Sequence, residues 1–247
     1  MATRNDILQT LNQWLTPENF QDYCPNGLQV EGRDEVTTIV SGVTASQAFI
    51  DAAVEAGADM ILVHHGYFWK GEPQPVTGMK KARIKTLLAH DISLVAYHLP
   101  LDDHPEYGNN RQLAETLGIC NPRPLGGLLW EGELAEPMTP EAFAGYLQER
   151  LKRQPLHVGA GPDQIRRLAW CTGAAQGFLP SAVEAGVDAY ISGEASEPTT
   201  HTARECGIHY YGAGHHATER YGVQALGRAL AETFGVSHQF IDCDNPV

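Results

Sequence analysis

The feature that most constrains the fold of this chain is an internal repeat. Residues 45–65 (ASQAFIDAAVEAGADMILVHH) align without gaps to residues 174–194 (AAQGFLPSAVEAGVDAYISGE), and nine of the 21 positions are identical. The shared block AVEAG is typical of a helix end followed by the glycine that stops it. A weaker similarity follows between residues 92–102 and 208–219. Such self-similarity predicts two related halves.

Strand and helix patterns alternate along the chain. After an amphipathic N-terminal helix that Thr3 caps and Pro17 ends, apolar runs and helical periodicity follow one another. The predicted elements are a strand near 36–43, a helix near 46–56, a strand at 60–63, a helix near 80–90 and a strand at 93–97. This β-α-β alternation is typical of largely parallel strands with helices on the sheet faces. The predicted fold class is α/β.

The segment CNPRPLGG at 120–127 marks the expected join, because its prolines and glycines break regular structure. We therefore predict a first α/β half at 1–123 and a second at 124–247. The C-terminal strand is expected to pack back on the first half. A functional site is expected between the halves.

Composition excludes several classes of protein. The net charge of -13 and the pI near 5.2 argue against a protein whose main task is binding a phosphate backbone. The basic residues Lys80, Lys81, Arg83 and Lys85 are interpreted as a solvated helix face. The sequence has no apolar run of about 18 residues and begins without the apolar core of a secretory signal. We expect a cytoplasmic protein without a membrane partner.

Histidines follow the predicted strands. His64 and His65 come after Met60–Val63, His98 after Leu94–Tyr97, and His215 after Tyr210–Ala213. In open parallel sheets, functional groups gather at the carboxyl ends of strands. Gly66 is expected to let the backbone turn after the His64–His65 pair.

Two histidines are followed four residues later by a carboxylate. His215 and Glu219 lie at the predicted start of a helix, where this spacing puts both side chains on one face. His98 and Asp102 share the spacing, but Pro100 favours a loop there. Asp102 is the better ligand candidate of that second pair.

These residues predict a metal site. A single histidine at a strand end is more often structural, but the adjacent pair, the two His-x-x-x-carboxylate motifs and the repeat together favour ligation. The candidate ligands are His64, His65, Asp102, His215 and Glu219. Imidazole and carboxylate donors suit Fe, Zn, Mn, Co or Ni and do not choose among them. Five ligands for two divalent ions leave positions for water, so hydrolysis is the expected chemistry.

The sequence resembles the GTP cyclohydrolase 1 type 2 homologue family, also called the Nif-three-like family. The resemblance covers nearly the whole chain and rests on five motifs. They are PNGLQVEG at 25–32, GVTAS at 42–46, VHHGYFWKG at 63–71, HLPLD at 98–102 and GHHATE at 214–219.

This resemblance implies a dinuclear metal centre whose ligands fall on the same five residues, without substitution. It also implies a ring-shaped homohexamer, or toroid, with the sites facing the interior. Glu219 is the candidate for bridging the two ions, because a carboxylate has two oxygens. His98 is expected to orient a ligand or to carry protons, since imidazole titrates near neutrality.

Three functions are consistent with these expectations. The first is a metal-dependent hydrolase of a nucleotide or related heterocycle, either opening the ring of GTP or acting on damaged nucleotides or DNA. The second is a non-catalytic ring scaffold or regulator that holds metal and binds protein or nucleic-acid partners. The third is metal storage or delivery without turnover.

Overall fold

The computed structural model describes residues 2–247, which form a mixed α/β fold. They divide into two compact units. Unit 1 comprises the residues up to Gly108 together with Gly222–Asp244, and unit 2 comprises Asn109–Tyr221 together with Asn245–Val247. The first division therefore falls 15 residues before the predicted join at 123/124, because the segment at 120–126 is a strand of unit 2. Within 2–247, no helix has the length and apolarity needed to cross a membrane.

Unit 1 contains a five-stranded sheet. The strands of this sheet are β2 (Gly27–Val30), β4 (Thr38–Thr44), β5 (Met60–His65), β6 (Ser93–Ala96) and β13 (Ser237–Phe240). The short strands β1 (Ala2–Thr3) and β3 (Glu35–Val36) pair with each other as a separate two-stranded antiparallel sheet. The helices of unit 1 are α1 (Arg4–Leu15), α2 (Gln47–Glu55), α3 (Gly78–Ala89), α4 (Leu99–Asp103) and the part of α10 (Arg220–Phe234) from Gly222 onward. The sheet order is β13-β4-β5-β6-β2. Only the pairing of β2 with β6 is antiparallel within this sheet, so the expected parallel arrangement holds here.

Alternating apolar side chains place helices on both faces of this sheet. Met60 and Leu62 of β5 join a buried cluster with residues of α1 and α10, whereas Ile61 and Val63 join a second cluster with residues of α2 and α3. Successive strand residues point to opposite faces, so a continuous apolar run indicates a strand covered on both sides. The end of β5 is held rigidly for this reason.

Two helices of unit 1 show how local sequence sets their starts. Thr3 caps α1 by accepting a hydrogen bond from the Asp6 amide at 3.1 Å, as predicted. Residues 99–103 form the short helix α4 instead of the expected loop. Pro100 lies in its first turn, where a missing amide hydrogen costs no helical hydrogen bond.

Unit 2 contains a six-stranded sheet. Its strands are β7 (Cys120–Gly126), β8 (Leu129–Met138), β9 (Leu156–Val158), β10 (Ile165–Cys171), β11 (Ala189–Ser192) and β12 (His209–Gly212). Its helices are α5 (Asn109–Thr116), α6 (Pro140–Leu151), α7 (Leu179–Glu184), α8 (Glu197–Cys206) and α9 (His215–Thr218). The order is β7-β8-β10-β11-β12-β9, and only the two pairs among β10, β11 and β12 are parallel. The prediction of mostly parallel strands is wrong for this unit, because β7, β8 and β9 add antiparallel edges.

The repeated sequence corresponds to repeated structure. In unit 1, β4, α2, β5 and β6 follow one another with the strands parallel, and β10, α7, β11 and β12 do the same in unit 2. β5 and β11 begin at Met60 and Ala189, which are aligned positions of the repeat. Gly57 and Gly186 both adopt positive φ, +70° and +65°, which explains why the repeat keeps glycine there.

An aspartate of the repeat has a structural role in both units. Asp59 accepts hydrogen bonds from the amides of Thr37 and Thr38 at 2.9 and 3.0 Å. Its counterpart Asp188 accepts from two consecutive amides, those of residues 166 and 167, at 2.9 and 2.8 Å. Each carboxylate therefore fixes the chain at the start of a strand that precedes it in sequence.

Candidate metal centre

The His64–His65 pair forms the last two residues of β5 instead of following the strand. The His64 ring is completely buried, and its Nδ1 lies 3.0 Å from the carbonyl oxygen of Tyr97. A carbonyl only accepts, so Nδ1 donates and, in the neutral ring, Nε2 carries the lone pair. This Nε2 lies 3.5 Å from Oδ1 of the buried Asp102.

The His65 ring is held by the neighbouring strand. Its Nδ1 lies 3.0 Å from the hydroxyl of Thr44, the last residue of β4. The rings of His64 and His65 are 4.6 Å apart between centroids. Ligand atoms of His64, His65 and His98 all lie within 4.8 Å of one another, a group that could hold a metal ion.

A buried carboxylate supports His98. Asp22 Oδ1 lies 2.6 Å from His98 Nδ1, and Asp22 Oδ2 accepts from the Leu99 amide at 3.0 Å. Burial opposes ionisation of Asp22, but hydrogen bonds from His98 and Asn26 and the charge of the imidazole outweigh it and lower the pKa to about 2. An ionised Asp22 makes Nδ1 the protonated nitrogen of His98.

Two residues of the motif PNGLQVEG, Asn26 and Gln29, hold the loops around these histidines. Asn26 accepts a hydrogen bond from the His98 amide at 2.7 Å. Gln29 accepts from the Tyr67 amide at 2.7 Å and donates to the Tyr67 carbonyl at 3.2 Å. A Cβ on Gly66 would collide with the Gln29 carboxamide, so this glycine is needed for close packing and not for left-handed backbone.

Unit 2 contributes the second histidine–carboxylate pair. His215 begins α9, and its Nε2 lies 3.1 Å from Oε2 of Glu219, which is 3% exposed. Its Nδ1 lies 2.7 Å from Oε1 of Glu194. His215 is therefore placed between two carboxylates.

This position has a strong electrostatic effect. Burial disfavours the protonated imidazole of His215, but the hydrogen bonds and charges of Glu219 and Glu194 outweigh it and raise the pKa to about 9. The two carboxylates thus favour positive charge on the His215 ring at neutral pH.

Glycines bring the backbone close to this pair. A Cβ on Gly173, whose φ is +69°, would collide with the Glu219 carboxylate and lie 3.3 Å from His215 Nε2. A Cβ on Gly193 would lie 2.7 Å from the Cα of His215. Neither position has room for a side chain.

The donor sets of both units fit a divalent transition metal. In each unit a histidine Nε2 faces a carboxylate oxygen, while Nδ1 is held by another group. Metal-binding histidines usually donate their other N–H to a carboxylate or carbonyl in this way, which fixes the tautomer that binds the ion. Imidazole and carboxylate without thiolate suit Fe, Zn, Mn, Co or Ni.

Two residues of these sites were missed from the sequence, namely Asp22 and Glu194. The repeat contained a signal for Glu194, because the alignment places it opposite His65. Asp22 gave no comparable signal, since it lies far from His98 in sequence and outside the repeat.

Fold and site together define a class of protein: a duplicated α/β protein with histidine–carboxylate groups at strand ends that could hold metal. The family model for Duf34/NIF3 (NGG1p interacting factor 3) matches residues 2–246. The chain belongs to this family, which confirms the resemblance stated from its motifs.

Relatives and solved structures agree with this assignment. The chain is 60% identical over 248 residues to a "GTP cyclohydrolase 1 type 2 homolog" of Pseudomonas aeruginosa, covering 97% of each chain. It is 52% identical over 242 residues to a protein of the same name from Escherichia coli K12, covering 98% of each. Its structure is similar to that of a protein titled ybgI, of unknown function, with a TM-score of 0.97, 51% identity and coverage of 99% of this chain and 100% of that one.

Proposed function

We propose that this protein is a metal-dependent hydrolase whose dinuclear centre is formed by His64, His65, Asp102, His215 and Glu219. The observation that carries the proposal is the paired arrangement in both units. Nδ1 of His64 and of His215 is held by an acceptor, and Nε2 of each faces a carboxylate at 3.5 and 3.1 Å. The expected occupant between such groups is a cation.

The number of donors supports one shared centre. Catalytic sites for these metals commonly use at least three protein ligands per ion and leave one position open. His215 and Glu219 alone are too few to bind an ion tightly. We therefore propose that ligands of both units would together hold two ions, to which Glu219 would offer both of its carboxylate oxygens.

Bound divalent ions would lower the pKa of water and stabilise negative charge on oxygen, which is the chemistry of hydrolysis. We assign His98 the role of proton carrier. Asp22 holds its Nδ1 at 2.6 Å, so Nε2 is the nitrogen that accepts a proton. Ligand atoms of His98 and of the two β5 histidines lie within 4.8 Å of one another, so His98 lies beside the proposed centre.

The proposed substrate is a nucleotide or related heterocycle, such as GTP or a damaged nucleotide or DNA base. The printed name of the relatives supports this class. Aromatic rings beside His98 also support it. The Trp69 ring lies edge-on at 5.0 Å, and Tyr23, with 61% of its surface exposed, lies at 6.3 Å. Exposed aromatic rings provide contact area for planar ligands.

The test combines metal content with turnover. Elemental analysis of the isolated protein should give two divalent ions per chain, and a nucleotide panel followed by mass spectrometry should show a product with one added water. His65→Ala and Glu219→Gln should abolish turnover, whereas His201→Ala, which changes an exposed histidine paired with Glu197, should not.

Other outcomes separate the alternatives. Fewer than one ion per chain would contradict the dinuclear centre. A fully loaded protein that converts no nucleotide would favour the ring scaffold, and freely exchanging ions without turnover would favour metal storage or delivery. We also propose a homohexameric ring, on the basis of family membership, and native mass spectrometry measures it directly.

A further inference from the structure

We propose that Glu194 is a positioning residue that holds His215 for metal binding. This inference rests on the proposed metal centre. Oε1 of Glu194 lies 2.7 Å from His215 Nδ1, a short distance typical of a charge-assisted hydrogen bond. A carboxylate acceptor at Nδ1 directs the lone pair of Nε2 toward Glu219, on the side where an ion is expected.

The surrounding backbone fixes Glu194 in this position. The Tyr210 hydroxyl donates a hydrogen bond to the Glu194 carbonyl oxygen. The preceding residue, Gly193, donates from its amide to the Gly173 carbonyl at 2.8 Å and packs directly against the His215 backbone. A larger residue at 193 would separate Glu194 from the imidazole.

The repeat gives this residue a counterpart. Glu194 aligns with His65. His65 is the last residue of β5, and Glu194 lies just after the equivalent parallel strand, β11. The two units thus use the same repeat position differently. In unit 1 it supplies a proposed ligand, and in unit 2 it supplies the acceptor that orients a proposed ligand.

Each of the four histidines described above has an oxygen atom beside its Nδ1. The oxygen belongs to the Tyr97 carbonyl for His64, the Thr44 hydroxyl for His65, the Asp22 carboxylate for His98 and the Glu194 carboxylate for His215. Of the two carboxylates that contact a histidine Nδ1 in this way, Glu194 is the more exposed, with 33% of its side chain accessible against 4% for Asp22. A substitution at 194 is therefore expected to leave the fold intact.

The experiment compares Glu194→Gln and Glu194→Ala with the wild type. Glu197→Gln is the matched control, because Glu197 also contacts a histidine, His201 at 3.0 Å, but is exposed. Zinc affinity is measured by competition with a chelator. Loss of an outer acceptor of this kind typically weakens metal binding 10–100-fold. We expect a loss of about 10-fold for Glu194→Gln, about 100-fold for Glu194→Ala, and none for the control.

A second readout is independent of activity and affinity. In the zinc-loaded protein labelled with ¹⁵N-histidine, His215 should show a protonated Nδ1 and a zinc-bound Nε2. Glu194→Ala should broaden or shift these resonances, and Glu194→Gln should retain the tautomer. Wild-type affinity and an unchanged His215 spectrum in Glu194→Ala would overturn the inference. A wild type that binds no zinc would instead refute the proposed metal centre.

Discussion

Replacing Gly173 with alanine is expected to damage the candidate metal centre by filling space beside it. An added Cβ would collide with the Glu219 carboxylate, which must then move by on the order of 1 Å to restore van der Waals contact. Metal sites tolerate only a few tenths of an ångström in ligand distance. We therefore expect a loss in metal affinity of about 100-fold, similar to the rate loss that a 1 Å misplacement causes at reacting centres.

The same substitution also strains the backbone, and a matched variant separates the two effects. Gly173 has φ of +69° and Gly186 has φ of +65°, so alanine at either position costs about 1–2 kcal/mol of folding stability. Among residues 2–247, no atom beyond the chain neighbours lies within 4 Å of a Cβ at Gly186. Both variants should lose this backbone contribution in urea denaturation, and Gly173→Ala should lose additional stability because of the collision with Glu219. Only Gly173→Ala should lose affinity in a chelator competition. Equal metal affinity in the two variants would refute the steric argument.

Three further predictions concern stability, proton transfer and metal removal. Asp59→Asn should destabilise the protein by about 2 kcal/mol near pH 7, because four hydrogen bonds, one of them from the Arg33 guanidinium, lose their charged acceptor. Hydrogen bonds lower the pKa of Asp59 despite its burial, so this stabilisation is present above pH 4 and is lost as pH falls through the lowered value. In urea denaturation at several pH values, the free energies of unfolding of the wild type and Asp59→Asn should converge in acid. Elemental analysis of Asp22→Asn should show an unchanged metal content, but its turnover should fall about 100-fold because His98 loses its charged acceptor. A loss of metal in this variant would instead indicate that His98 is a metal ligand. Chelator treatment should lower the melting temperature of the wild type, because ions at 100 times their dissociation constant stabilise by about 2.7 kcal/mol, whereas Glu219→Gln should respond much less in the same scan.

The parts of the fold that follow from local patterns were predictable from the sequence. The apolar run at 60–63 gives most of β5, which extends to His65, and Thr3 followed by spaced apolar residues gives α1. The repeat gave the shared strand–helix–strand order of both units. These features depend on periodicity and capping, which act over a few residues.

The edge of the unit 2 sheet was not predictable in the same way. Residues 120–127 were interpreted as a join because of Pro122, Pro124 and two glycines. The structure makes most of this segment the strand β7, paired antiparallel with β8. Proline is tolerated there because an edge strand needs hydrogen bonds on only one side. Whether a segment with two prolines can form a strand therefore depends on its position at the sheet edge, and the sequence alone does not reveal that position.

The candidate site was predictable where chemistry and spacing coincide. His215 and Glu219 are one helical turn apart, and the structure places their side chains within 3.1 Å. The carboxylate acceptors at Nδ1 come from distant segments, since Asp22 lies 76 residues from His98. Such contacts are determined by tertiary packing, which one-turn spacing cannot indicate.

The prolines of β7 also affect how copies of this protein can associate. Exposed sheet edges tend to recruit strands from other molecules, which leads to aggregation. At one edge of the unit 2 sheet, Pro122 and Pro124 lack the amide hydrogens that an incoming strand requires. At the other edge, β9 is only three residues long. Self-assembly through this unit is therefore expected to use side-chain surfaces and not open-ended strand addition.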